Sequence, residues 1–160
     1  MSEVLALASC VALLGVAVVG GVFFAFSSFV MGALARVPEA EGMRAMQAIN
    51  VVVINRSFMG SFMGSAVICA VVVVLALRHF EAPGALLCLA GAVVYLIGTF
   101  GTTIAGNVPL NERLAVADAS HAQSIAIWRE YLDRWTRLNT LRTAAAVLAA
   151  VLLLAGRLSA

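Results

Sequence analysis

The chain contains no lysine, and only 11% of its 160 residues are charged, against about 25% in an ordinary soluble domain. With 63% hydrophobic residues and a mean hydropathy of +1.05, its surface could not be solvated by water. The sequence therefore reads as an integral membrane protein. The net charge of +2 comes from arginine alone and is too small for a nucleic-acid partner. Cysteine is scarce: Cys10, Cys69 and Cys88 lie in three different apolar runs and form no C-x-x-C pair. They read as small core hydrophobes, which excludes paired-thiol redox chemistry. There is no glycine-rich phosphate loop or dinucleotide fingerprint. Glu112, Asp118, Glu130 and Asp133 have no ligand-like spacing. No metal and no cofactor are expected. Basic residues are also missing from the N-terminus, whose apolar run is about twice the length of a signal-peptide core, so no cleaved signal is expected.

Long uncharged runs are present instead. Val4–Ala35 has 32 residues, Ser57–Leu77 has 21 and Ala82–Asn111 has 30. A crossing needs about 20 residues at about 1.5 Å each. The last run, Thr143–Gly156, has only 14, so a full fourth span must start near Arg137 and take in Asn139 and Arg142. The expectation is an all-α, integral membrane four-helix bundle, one domain over residues 1–160. Its spans fall at about 5–33, 57–78, 84–106 and 137–157. Ser57, Ser61 and Ser65 with Gly60 and Gly64, and Gly84, Gly91 and Gly98, have the spacing of close helix packing in lipid.

Two polar connections share one membrane face. Pro38 and Glu39 open a short predicted helix that places Met43, Met46, Ile49 and Asn50 on one side. In the second connection, Gly106 and Pro109 read as breakers, and a helix then runs from about Ser120 into the fourth span. Eight arginines fall on this side and two, Arg78 and Arg157, on the other. The positive-inside rule places both long connections in the cytoplasm and both termini outside, in a multi-pass protein of the cell inner (plasma) membrane. His79 and His121 then lie on opposite sides and cannot share a metal or flank one haem.

Within the last helix, Trp128, Tyr131, Trp135, Asn139 and Arg142 recur at intervals of three or four and form one stripe. One reading is an interfacial aromatic belt with Arg142 snorkelling to headgroups. The other is a pocket wall, because a charge inside the span costs about 2.5–3.5 kcal/mol and ordinarily faces a partner or cavity. The belt accounts for the aromatics but not for the Asn–Arg pair. Ser27, Ser28, Gln47, Asn50, Asn55, Thr99, Thr102, Thr103, Asn107 and Asn111 lie near the same membrane face. Amides and hydroxyls around one arginine suit a neutral or weakly anionic organic molecule. The expected catalytic residues are Arg142 and Asn139. The expected substrate-binding residues are Asn107, Asn111, Trp128, Tyr131, Trp135, Gln47 and Asn50.

"FFAFSSFVMGALARVP", "MQAIN", "GTTIAGNVPLNERL" and "W..Y...WTRLNTLRT" together resemble the anthrone oxygenase-like family of small four-helix membrane proteins. The resemblance runs from about Gly20 to Thr143 and includes a bacterial branch grouped as a domain of unknown function. It implies the bundle fold and, by analogy with fungal members, oxidation of anthrones to anthraquinones with molecular oxygen and no bound cofactor. The last motif departs from the family's usual Asn-His-x-Arg, because Thr140 follows Asn139. Such oxygenation needs a base to form the carbanion and donors for the developing oxyanion. Arg142 with Asn107, Asn111 or Asn139 supplies the donors, whereas the base is left without that imidazole. His121 reads as a surface residue.

Three function classes remain: a membrane-embedded small-molecule enzyme of the cofactor-free oxygenase kind, a non-catalytic assembly subunit or lipid and hydrophobic-ligand binder, and a transporter. The partners in view are the lipid bilayer and a small hydrophobic or aromatic ligand, with a homo-oligomer or larger membrane assembly on the second reading.

Overall fold

The computed structural model describes residues 2–159, which contain five helices and no strand. Helix α1 is Glu3–Leu34, α2 is Glu39–Val52, α3 is Arg56–Arg78, α4 is Ala85–Ala115 and α5 is Ala122–Leu158. All but α2 are long and apolar enough to cross a membrane, so the chain is a helical membrane protein. Each helix begins where the local chemistry allows it. Asn55 accepts from the backbone N–H groups of Ser57 and Phe58, both at 3.0 Å, and so caps α3. Pro38 precedes α2, whose first turn carries Glu39 and Glu41 at the positive end of the helix dipole. Gly84 opens α4 at φ 77°, a left-handed conformation open to glycine at little cost.

The spans are arranged in a ring, α1–α3–α4–α5 and back to α1. Their shared core joins Val16, Val19 and Phe23 to Phe62 and Cys69, Cys88 and Tyr95, and Ala149 and Leu153. The glycine series in α4 faces α5. A Cβ on Gly91 would sit 2.9 Å from the Ala149 carbonyl oxygen, and one on Gly98 would sit 2.6 Å from the Ala145 Cβ. The serine ridge behaves differently. Ser65 packs on Gly15 of α1, but Gly60 and Gly64 meet nothing within 4 Å. The outward faces carry Leu7, Leu14, Val67, Val74, Ile97 and Leu148 in the open, as lipid contact requires.

A second hydrophobic cluster lies beyond the ring at one end. It is built from Met31, Met43, Met46, Leu110, Leu114, Trp128, Tyr131 and Trp135. Helix α2 lies across this end. Its Gln47 amide donates to the carbonyls of Leu114 and Ala117, both at 2.8 Å, and its Glu39 pairs with Arg129 at 2.6 Å. Gly42 lets it lie close, because a Cβ there would meet the Leu34 carbonyl oxygen at 2.6 Å and the Trp128 ring at 2.9 Å.

One expectation is met and one is corrected. A helix does run from near Ser120 into the fourth span: α5 is one unbroken helix of 37 residues, about 55 Å long, whose polar first half passes through the second cluster. Gly106 and Pro109 do not break α4, which runs on to Ala115, leaving only 116–121 as a turn. The reason lies in π-helical turns at Tyr95–Gly101 and Thr103–Asn107. Pro109 follows directly, in the first turn of the restored α-helix, where a missing N–H costs least. A third π-helical stretch, Phe26–Val30, interrupts α1 at the same level of the bundle.

Candidate functional site

The aromatic and polar stripe of α5 faces inward along its whole length. Trp128, Tyr131, Trp135, Asn139 and Arg142 are 1, 1, 3, 0 and 5% exposed. An interfacial belt would leave the rings and the guanidinium on the outer surface, and none of them is there. The rings of Trp128 and Tyr131, and of Tyr131 and Trp135, stack at 5.8 Å between centroids. Phe26 of the α1 π-turn leans on Trp135 at 5.6 Å.

Arg142 sits where three helices meet. Its Nε donates to Asn139 Oδ1 at 2.9 Å and its Nη1 to Thr103 Oγ1 at 3.2 Å. Among the described residues its Nη2 has no hydrogen-bond partner. The guanidinium carbon lies 3.9 Å from the Phe23 ring centroid and 4.9 Å from that of Trp135. Asn139 in turn donates to the Phe23 carbonyl at 2.7 Å and to Ser27 Oγ at 2.6 Å, which ties α5 to the π-turn of α1. Thr99 donates to the Arg142 carbonyl at 3.1 Å. Hydrogen bonds and cation–π contacts offset part of the desolvation of this charge. No carboxylate offsets the rest: among the described residues every ion pair lies on exposed side chains elsewhere.

A cavity of about 160 Å³ lies in front of the guanidinium, between α1, α2, α3, α4 and α5. Its walls are mostly apolar, with aromatic and methionine side chains such as Phe23, Phe58, Phe62, Met59 and Met63 among them. Its polar groups are Asn50, Thr103, Asn111 and Arg142, with Trp135 beside them. No Asp, Glu, His or Lys lines it. Of the residues expected from sequence, Arg142, Trp135, Asn50 and Asn111 line the cavity. Asn139 stands behind Arg142 and orients it. Tyr131 stands behind the amides, donating to Asn111 Oδ1 at 2.8 Å and accepting from Asn50 Nδ2 at 3.3 Å. Trp128 supports that stack one turn further away. Asn107 is buried and donates to the Trp135 carbonyl at 3.2 Å, while its Oδ1 and the Trp135 Nε1 have no partner. Gln47 is turned away, with its amide spent on the end of α4. Thr103 was one of several polar candidates without a role of its own, and the π-turn aims it at Arg142. Phe58, Met59 and Met63 carried no signal, since apolar residues in a span read equally as core or lipid face.

Among the described residues no three His, Cys, Asp or Glu side chains cluster. His121 is a surface residue paired with Asp118 at 3.2 Å. Hydrogen bonds from the Ser120 N–H and hydroxyl hold the Asp118 carboxyl below its ordinary range. Position 140 falls outside the cavity. Thr140 is exposed, and its hydroxyl meets Ser27 Oγ at 3.1 Å on the outer seam of α1 and α5.

The model of a family described as anthrone oxygenase matches residues 56–152, covering α3, α4 and most of α5, 97 of the 160 residues. No curated protein and no solved structure matches the chain.

Proposed function

This chain belongs to the anthrone oxygenase family, and from that premise we propose that it is a membrane-embedded oxygenase of anthrone-like aromatic substrates, working beside Arg142 without a bound cofactor. The observation that carries the reading is the buried guanidinium of Arg142, turned to a cavity and lacking any carboxylate partner. A planar aromatic ketone fits such a place. Its oxygen would take the free Nη2 of Arg142, and its rings the aromatic walls. Proton transfer from the ring methylene to water or hydroxide in the cavity, where no side-chain base stands, moves negative charge onto that oxygen, and a fixed guanidinium among apolar walls stabilises this charge as it forms. The carbanion then adds O2 and takes up a proton, giving a hydroperoxide. Loss of water from the hydroperoxide leaves the new carbonyl. One oxygen atom stays in the product and the other leaves as water, so the methylene loses the four electrons that O2 gains.

Asn139 and Thr103 hold the guanidinium in place, and Asn50 and Asn111 offer amide groups to the second oxygen. In this reading both long connections face the cytoplasm. Arg142 is buried and drops out of the topology count, leaving seven arginines against two.

With the protein in vesicles, anthrone oxidation is followed by oxygen uptake and anthraquinone absorbance. Arg142→Ala should lower kcat/KM by about 10²-fold or more, the usual cost of removing a fixed oxyanion donor. Arg142→Lys should lose nearly as much, since a lysine keeps the charge but not the planar fork that reaches Asn139 and Thr103 together. Wild-type turnover in Arg142→Ala would overturn the reading. One observation favours a second reading, a non-catalytic binder: no side chain that could act as a general base lines the cavity. That protein would bind anthrone and consume no oxygen.

A further inference from the structure

The cavity is closed toward the water and open toward the lipid. On the aqueous side α2 lies over it, held by Gln47 and Glu39, with Met46 buried beneath and the stacked rings of α5 behind. On the lateral side the wall thins. Helices α3 and α4 pack together as far as Gly101, but the packing gives out at the π-helical stretch Thr103–Asn107. There the cavity is bounded by Ile54, Met63 and Ile104, which also stand 67, 44 and 53% exposed on the outer surface. All three are apolar. Beside them Val51 and Val52, at the end of α2, are exposed with no protein covering them. Four uncovered aliphatic side chains around the α2–α3 hinge (Val51, Val52, Ile54 and Ile104) suit acyl chains, and the exposed Asn55 and Arg56 beside them suit the headgroup level, a pattern that fits the edge of the hydrocarbon.

We infer that the ligand of this cavity is a molecule already dissolved in the membrane, which passes sideways between α3 and α4 and reaches Arg142 with an oxygen atom foremost. This rests on the cavity being the ligand site, as proposed above, and adds both a route and a limit on the ligand. The side chains of Ile54, Met63 and Ile104 offer no hydrogen-bond partner, so a molecule with charges at both ends would be stripped of water between them at a cost they do not repay. A largely apolar molecule, already out of water, loses nothing at the rim and meets its polar partners only at depth. The methionines suit such a passage, because unbranched thioether side chains swing aside at little cost.

Trp135 reports the arrival of a probe. Anthraquinone is preloaded into phosphatidylcholine vesicles and mixed with vesicles holding the protein, and quenching of Trp135 is followed by stopped flow in a Trp128→Phe background. Narrowing the rim with Ile104→Phe or, independently, Ile54→Phe should slow association and release together by about tenfold, with Kd changing far less than either rate, as obstruction of a passage requires. Freeing α2 with Glu39→Ala and Gln47→Ala together should leave both rates as they were. The opposite pattern, rim variants without effect and faster exchange on freeing α2, would overturn the lateral route while leaving the cavity as the binding site. Absence of Trp135 quenching in the unaltered rim would overturn the cavity reading itself, and the route with it.

Discussion

Asn139 uses every hydrogen-bonding group of its side chain: its carbonyl holds Arg142, and its amino group holds the Phe23 carbonyl and Ser27. Thr140, the next residue, points to the outer seam. The two adjacent positions should therefore respond in opposite ways. Asn139→Asp would set a carboxylate against the guanidinium, neutralise it internally and lose both donors, so oxygen uptake with anthrone should fall at least about tenfold. Thr140→His should leave oxygen uptake within about twofold, as expected of a surface change away from the site. A large gain from Thr140→His would show that an imidazole at that position reaches the cavity after all. The stripe itself was readable in the sequence, because intervals of three and four fix one face of a helix whatever lies opposite. For Gln47 the face alone does not decide the partner. Its face was legible, but an amide on that face can satisfy helix-end carbonyls as readily as a ligand, and Leu114 and Ala117 took it.

At the scale of elements, the sequence shows where helices run far better than how their turns are wound. Met43, Met46, Ile49 and Asn50 announced α2 by spacing, and the uncharged runs announced the four spans. The π-helical stretches of α1 and α4 left no such trace, since their residues are ordinary helix formers in a membrane. For that reason Gly106 and Pro109 read as a break, and Thr103 could not be singled out. Small residues divide in the same way, because spacing shows that a ridge exists but not whether a neighbour occupies it. Gly91→Ala should push α4 from the Ala149 carbonyl and destabilise the bundle by about 1–3 kcal/mol, seen as a lower thermal midpoint in detergent. Gly64→Ala has open space and a better helix former, so it should be neutral or stabilise by up to about 1 kcal/mol. Equal losses at both positions would mean that Gly64 also meets a neighbour.

For the whole molecule, composition alone gave the setting and the number of spans, because a bilayer tolerates few alternatives to apolar helices of one length. The cavity was less legible, since it depends on which spans are neighbours in the ring and on where α3 and α4 part. The proposed orientation rests on arginines that stay at the surface. Single cysteines at Glu41 and Asp118, in a variant without Cys10, Cys69 and Cys88, should react with an impermeant maleimide only after the inner membrane is opened. Reaction at either position in intact cells would place the α2 end outside.

The unbroken course of α5 links two surroundings. Its apolar half is seated in lipid, while its other half carries the rings and the guanidinium that wall the cavity. A helix about 55 Å long acts as a lever, so a change in tilt of about 5° displaces its far end by about 5 Å. Tilting is one way in which a span longer than the bilayer is accommodated. Oxygen uptake should therefore differ between vesicles of short-chain and long-chain lipid, and equal rates in both would show that the ring holds the α5 stripe fixed against the walls supplied by α3.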